Sequence, residues 1–118
     1  MKGYKNKFRA KKTKIEGITF DSKKEAERYF NLCMLQKAGI IKDLKRQVEF
    51  ELIPAHKKKN GKTERNCIYK ADFTYTKTET GESVTEDVKG CRKGAAYQNF
   101  VIKRKLMLDR YGIEVKEV

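Results

Sequence analysis

At 118 residues the chain has the length of one domain, and 29 lysines and arginines against 16 acids give a net charge of +13. That excess points to a polyanionic partner. No apolar run approaches the ~20 residues of a membrane span. The basic N-terminus lacks the apolar segment of a secretory signal. Cys33, Cys67 and Cys91, odd in number and widely spaced, read as free thiols. The expectation is a cytoplasmic protein with no membrane contact and no disulfide scaffold.

Residues 1–12 read as a flexible basic arm, because like charge this dense cannot support a packed element. Residues 13–118 then form the domain. Ile15 to Phe20 predicts a short hairpin centred on Glu16-Gly17. Ser22-Lys23-Lys24-Glu25 matches a capping box, so a helix opens with Ser22 at its N-cap. Ala26, Tyr29, Phe30, Cys33 and Lys37 share one stripe of that helix, Leu32 and Leu35 widen it, and Gly39 stops it. Val48, Phe50 and Leu52 alternate with Glu49 and Glu51, a strand ended by Pro54. His56 to Arg65 reads as a basic loop. Ile68–Thr76 and Val84–Lys89 are two β-rich runs joined by a turn at Thr78-Glu79-Thr80-Gly81. A second helix, about Ala96 to Arg110, turns Tyr97, Phe100, Val101, Met107 and Leu108 inward and stops at Gly112. Ile113–Val118 closes the chain as a strand. The order helix, three strands, helix, strand predicts an α/β domain, a mixed four-stranded sheet flanked by helices.

Two carboxylates and a lysine on the adjoining strands carry the chemistry. If Thr78 faces Gly81 across the turn, Asp72 faces Asp87; a slide of two residues brings Asp72 opposite Lys89. In either register Asp72, Asp87 and Lys89 share a face of the sheet, provided no bulge breaks the alternation. Like charges directly opposed are destabilising, so the pair asks for compensation by Lys89 or by a divalent cation. Hard oxygen donors suit Mg²⁺ or Mn²⁺. The plain structural alternative is an exposed polar face with an Asp–Lys cross-strand pair.

Asp72 followed by Asp87-Val88-Lys89-Gly90 resembles the D…(D/E)-x-K signature of the PD-(D/E)XK nucleases, whose restriction-endonuclease-like core has the same αβββαβ order. The chain also resembles a family of small phage-encoded proteins of unknown function. The shared segments are Phe20-Asp21-Ser22-Lys23-Lys24-Glu25-Ala26, Lys37-Ala38-Gly39-Ile40, Gln47, Tyr69-Lys70-Ala71-Asp72-Phe73, Glu86-Asp87-Val88-Lys89-Gly90 and Tyr111-Gly112-Ile113-Glu114-Val115. By pattern it is similar to phage Holliday-junction-resolving endonucleases and to the endonuclease subunit of heteromeric transposases. The resemblance implies a metal-dependent DNA endonuclease, with branched recombination intermediates as candidate substrates. It implies Asp72, Asp87 and Glu25 as ligands of Mg²⁺ or Mn²⁺, Lys89 as the residue that orients water or steadies the phosphate, and a homodimer as the assembly. Ala71 stands where the signature's nominal Pro would be. The second acid is Asp87 with Glu86 beside it, and strand alternation favours Asp87.

Glu25 has a second reading as a capping-box residue that needs no metal. Lys5, Lys7, Arg9, Lys11 and Lys12 of the arm, Lys57, Lys58 and Lys59 of the loop, and Arg92 and Lys93 after the second acid are candidate DNA-phosphate contacts; the alternative is solvated charge. Tyr4, Phe8, Tyr69 and Tyr75 are stacking candidates, with core packing preferred for the last two. The three cysteines and His56 lack zinc-site spacing. A non-catalytic nucleic-acid-binding module and a small RNA- or ribosome-associated basic protein are the competing functional classes.

Overall fold

The computed structural model describes residues 13–15 and 17–118. Lys5, Lys7, Arg9, Lys11 and Lys12 lie outside the described residues, as do Tyr4, Phe8 and Glu16. β1 (Thr13–Ile15) and β2 (Ile18–Phe20) form the expected hairpin, with Ile15 opposite Ile18 and Gly17 at φ 80°. α1 (Lys23–Lys37) begins where the Ser22 hydroxyl accepts the Glu25 N–H at 3.1 Å. It ends just before Gly39, whose φ of 80° suits a residue without Cβ. Then come β3 (Ile41–Ile53), the small hairpin β4 (His56–Lys57) and β5 (Thr63–Glu64), β6 (Cys67–Lys77), β7 (Ser83–Asp87), α2 (Gly94–Tyr111) and β8 (Lys116–Glu117).

The main sheet has the order β3-β6-β7-β8. β3/β6 and β6/β7 are antiparallel, while β8 returns through α2 to lie parallel to β7. The fold is α/β with a mixed four-stranded sheet and two helices. Among the described residues no helix is long and apolar enough to cross a membrane.

Several expectations need correction. β3 starts at Ile41, seven residues before the alternating run, because its first half is built from Lys, Asp and Arg side chains that carry no apolar period. The basic segment after Pro54 is a two-stranded hairpin in which His56 faces Glu64. Phe30 and Leu108, expected inside, are 56% and 54% exposed. The last strand is only Lys116–Glu117.

Each helix covers its own apolar cluster. Leu32, Ile41, Phe73 and Tyr75 are buried together with Tyr29 and Leu35 of α1, whereas Leu52, Tyr69, Ala71 and Val115 are buried with Phe100 and Met107 of α2. Successive strand residues point to opposite faces. On β7, Glu86 meets Arg28 of α1, and Asp87 meets Tyr69 of the α2 cluster, so the helices lie on opposite faces. Tyr69, Ala71, Phe73 and Tyr75 are all odd-numbered on one strand, yet the first two serve α2 and the last two serve α1. The alternation therefore changes phase between Ala71 and Phe73, at Asp72. β3 changes with it: Arg46 lies over Phe20 and Tyr29 on the α1 side, while Phe50 and Leu52 pack with the α2 cluster. The hinge of the change is Gln47, a non-glycine residue at φ 52°, and the ladder runs Arg46↔Phe73 then Val48↔Ala71 without pairing Gln47 to Asp72.

Candidate functional site

Asp72 sits at this phase change, and its two carboxylate oxygens look in different directions. Oδ2 accepts the backbone N–H of Val88 at 2.7 Å, and Oδ1 faces the Gln47 amide nitrogen at 3.4 Å. The β6/β7 register is the unslipped one, Phe73↔Glu86, which carried one step further sets Asp72 opposite Asp87. Asp87, the last residue of β7, is buried; its Oδ2 accepts the Tyr69 hydroxyl at 2.6 Å and its Oδ1 meets the Lys89 ammonium at 2.9 Å. Lys89 also lies 3.7 Å from the centre of the Phe100 ring, a cation–π contact that holds its stem against α2. Its backbone is fixed from both sides, by Val118 O at 3.0 Å and by the Lys24 ammonium on its carbonyl at 2.7 Å. The lysine's ion pair is thus with Asp87, two residues away, rather than across the strands with Asp72.

Glu25 completes the group from α1. It is 4% exposed, and its Oε2 accepts the Gln47 Nε2–H at 3.1 Å with the Arg46 guanidinium at 3.8 Å. Only one half of the capping box is made. The Ser22 hydroxyl takes the Glu25 N–H, but among the described residues the Glu25 carboxylate is bonded toward Gln47 and not back to Ser22. A cap alone would not bury a carboxylate beside two other acids.

The electrostatics agree with that placement. Burial, then repulsion from Asp72 and Asp21, pushes Glu25 up to about 7. Burial, then repulsion from Asp87, raises Asp72 to about 6 against the opposing bond from Val88. Folding therefore favours the protonated acids. The stability they supply is full below the ordinary carboxylate value near 4.5, declines as pH rises, and is gone above about 7. For the metal-free protein the two groups together should cost roughly 2–4 kcal/mol across that window. A melting-temperature profile from pH 5 to 8 should fall for the wild type and fall less steeply in Glu25→Gln, where Asp72 alone still titrates; parallel profiles would contradict the placement of Glu25.

Glu86 is excluded from the group. It is fully buried on the α1 side, held by a bidentate Arg28 at 2.8 and 2.6 Å and by the Tyr75 hydroxyl. Burial raises its carboxyl, but the Arg28 and Tyr75 hydrogen bonds outweigh this and leave it below the usual range. Strand alternation thus separates Asp87 from Glu86, and Glu86 is a structural ion-pair partner of Arg28. Tyr69 and Tyr75 are 3% and 6% exposed and so are unavailable for stacking on bases. Arg92 is drawn to Glu117 at 3.2 Å, in a cluster with Arg104 and Tyr97. Lys57, Lys58, Lys59 and Lys93 are exposed.

The residue types fit a hard cation, although among the described residues no three His, Cys, Asp or Glu side chains converge as ligands. The interval between Glu25 and Asp72 is spanned by the Gln47 amide. Gln47 and Tyr69 are the participants that composition and alternation do not reveal. Gln47 is one polar residue in a strand of mixed charge, and Tyr69 has the spacing of a core residue.

A family model described as "Protein of unknown function (DUF1064)" matches residues 5–117. The chain belongs to the DUF1064 family. That match spans both helices, the whole main sheet and every residue of the site. No curated protein and no solved structure matches the chain.

Proposed function

We propose that the chain is a metal-dependent DNA endonuclease of the restriction-endonuclease-like, PD-(D/E)XK type, acting on branched DNA such as four-way junctions during phage recombination. The observation that supports this most is the meeting of Asp72, in the middle of β6, with Asp87 and Lys89 at and just past the end of β7, with Glu25 linked to Asp72 through Gln47. Asp72 and Asp87, with Glu25 behind them, would hold Mg²⁺ or Mn²⁺, since Mg²⁺ is commonly bound by one or two carboxylates and the substrate phosphate. Such an ion supplies polarisation of a phosphoryl oxygen and a bound water of lowered pKa. Lys89, held by Asp87 and the Phe100 ring, presents a fixed positive charge to the negative charge that develops on the phosphate. The +13 net charge supplies the non-specific attraction to the DNA backbone, with Lys57, Lys58, Lys59 and Lys93 on exposed segments.

Symmetrical cutting of a junction calls for a two-fold homodimer. Phe20 of the first hairpin is fully buried against Tyr29 within the chain. Phe30 and Met34, one turn apart on α1 and both exposed, are the proposed contact. The complete engagement of Asp87 by Tyr69 and Lys89 favours one competing reading, a DNA-binding module without catalysis. Incubation with linear, nicked, flapped and four-way DNA, with and without Mg²⁺, separates the two. Metal-dependent cleavage, with a dimer mass by light scattering on the junction, is expected. Tight binding indifferent to Mg²⁺ and to Asp72→Asn, with no cleavage, would establish the module instead.

A further inference from the structure

Gln47 combines two features that its place in a strand does not explain. Its backbone is at φ 52°, a left-handed conformation that strains a non-glycine residue. Its side-chain amide lies between two buried or half-buried acids, 3.1 Å from Glu25 Oε2 and 3.4 Å from Asp72 Oδ1. A strand needing only a change of phase would be served better by glycine. With glutamine there, the change of phase aims an uncharged donor into the space between two carboxylates that repel each other.

An amide carries a donor and an acceptor on one carbon, and the terminal torsion that exchanges them is soft. With Nε2 inward, the amide neutralises part of the charge of Glu25 and Asp72. With Oε1 inward, it offers a hard neutral oxygen beside the same two carboxylates. We propose that Gln47 is a member of the ion site, holding Glu25 and Asp72 with its Nε2 when the site is metal-free and giving its Oε1 to the divalent cation. The inference rests on the metal-dependent reading above and adds a residue to it.

Mn²⁺ alone, followed by electron paramagnetic resonance titration of the DNA-free protein, provides the test. Gln47→Gly keeps the left-handed backbone accessible and removes the side chain, so it should fold while binding Mn²⁺ about 10-fold more weakly or worse. Gln47→Glu exchanges the donor for a second anionic oxygen. It should melt lower without metal, through repulsion of Glu25 and Asp72, and bind Mn²⁺ more tightly than the wild type. A folded Gln47→Gly with unchanged Mn²⁺ affinity overturns the proposal while leaving the metal site standing. So does a Gln47→Glu that binds Mn²⁺ more weakly, which would mark the amide as a donor only. A wild type that binds no Mn²⁺ at millimolar concentration overturns the metal-dependent reading and this inference together.

Discussion

On the proposed endonuclease reading, Asp72→Asn is expected to abolish metal-dependent DNA cleavage while leaving the fold and DNA binding in place. Asparagine keeps the shape, and its Oδ1 can still accept the Val88 N–H that Asp72 accepts at 2.7 Å. Burial already raises Asp72 to about 6, so exchanging the carboxylate for a neutral amide relieves a desolvation cost. The catalytic loss should be several kcal/mol in the transition state, about three orders of magnitude or more in rate. Asp87→Asn and Lys89→Ala should be comparably inactive but less innocent structurally. The first weakens the partner of Tyr69 and Lys89, and the second leaves a buried carboxylate with one hydrogen bond fewer. Plasmid nicking, read beside circular dichroism and filter binding, checks all three. Substantial nicking by a folded Asp72→Asn would sink the assignment.

Arg28→Ala is expected to destabilise the chain by about 3–5 kcal/mol, because among the described residues it leaves the fully buried Glu86 charge with the Tyr75 hydroxyl as its one remaining hydrogen-bond partner. That is a large share of the stability of a domain this size, about 5–15 kcal/mol. Because the pair lies on the α1 face, away from Asp87 and Lys89, replacing both partners by apolar residues (Arg28→Met with Glu86→Leu) should recover most of the loss. Urea unfolding of the single and double variants measures this. Additive losses in the double variant would show that the Arg28–Glu86 charges do not compensate one another.

The order of the main elements and the opposite facing of Asp87 and Glu86 are legible in the sequence, because both follow from local rules: a cap, a two-residue period, a turn. Of the two β6/β7 registers that the sequence leaves open, the ladder Phe73↔Glu86 is the one that a turn with Thr78 facing Gly81 gives. The interruption of the alternation is not legible in the sequence: β6 changes phase at Asp72, opposite Gln47 at φ 52°. The carboxylates come together because β6 is irregular there, and the irregularity lets a residue of α1 approach Asp72 while Asp87 looks toward the α2 face. No apolar period encodes that event, since the residues around it, Lys45 to Val48, are mostly charged or polar. The helix stripes misplaced Phe30 and Leu108 for a related reason. Each helix covers only part of one sheet face, so the buried arc is narrower than the apolar arc. For Glu25 the sequence leaves two readings open, ligand and cap; among the described residues its carboxylate bonds to Gln47 and not to Ser22.

The claim at the centre is that Asp72 belongs to a cation site rather than to a structural salt bridge. Melting temperature against Mg²⁺ concentration, for the wild type and Asp72→Asn, tests it most directly. A cation that binds the folded chain alone stabilises it as its concentration passes the dissociation constant. The account predicts a wild-type melting temperature that climbs with Mg²⁺, and an Asp72→Asn that starts at or above the metal-free wild type and stays flat. A wild type indifferent to Mg²⁺, with Asp72→Asn melting well below it, would contradict the account.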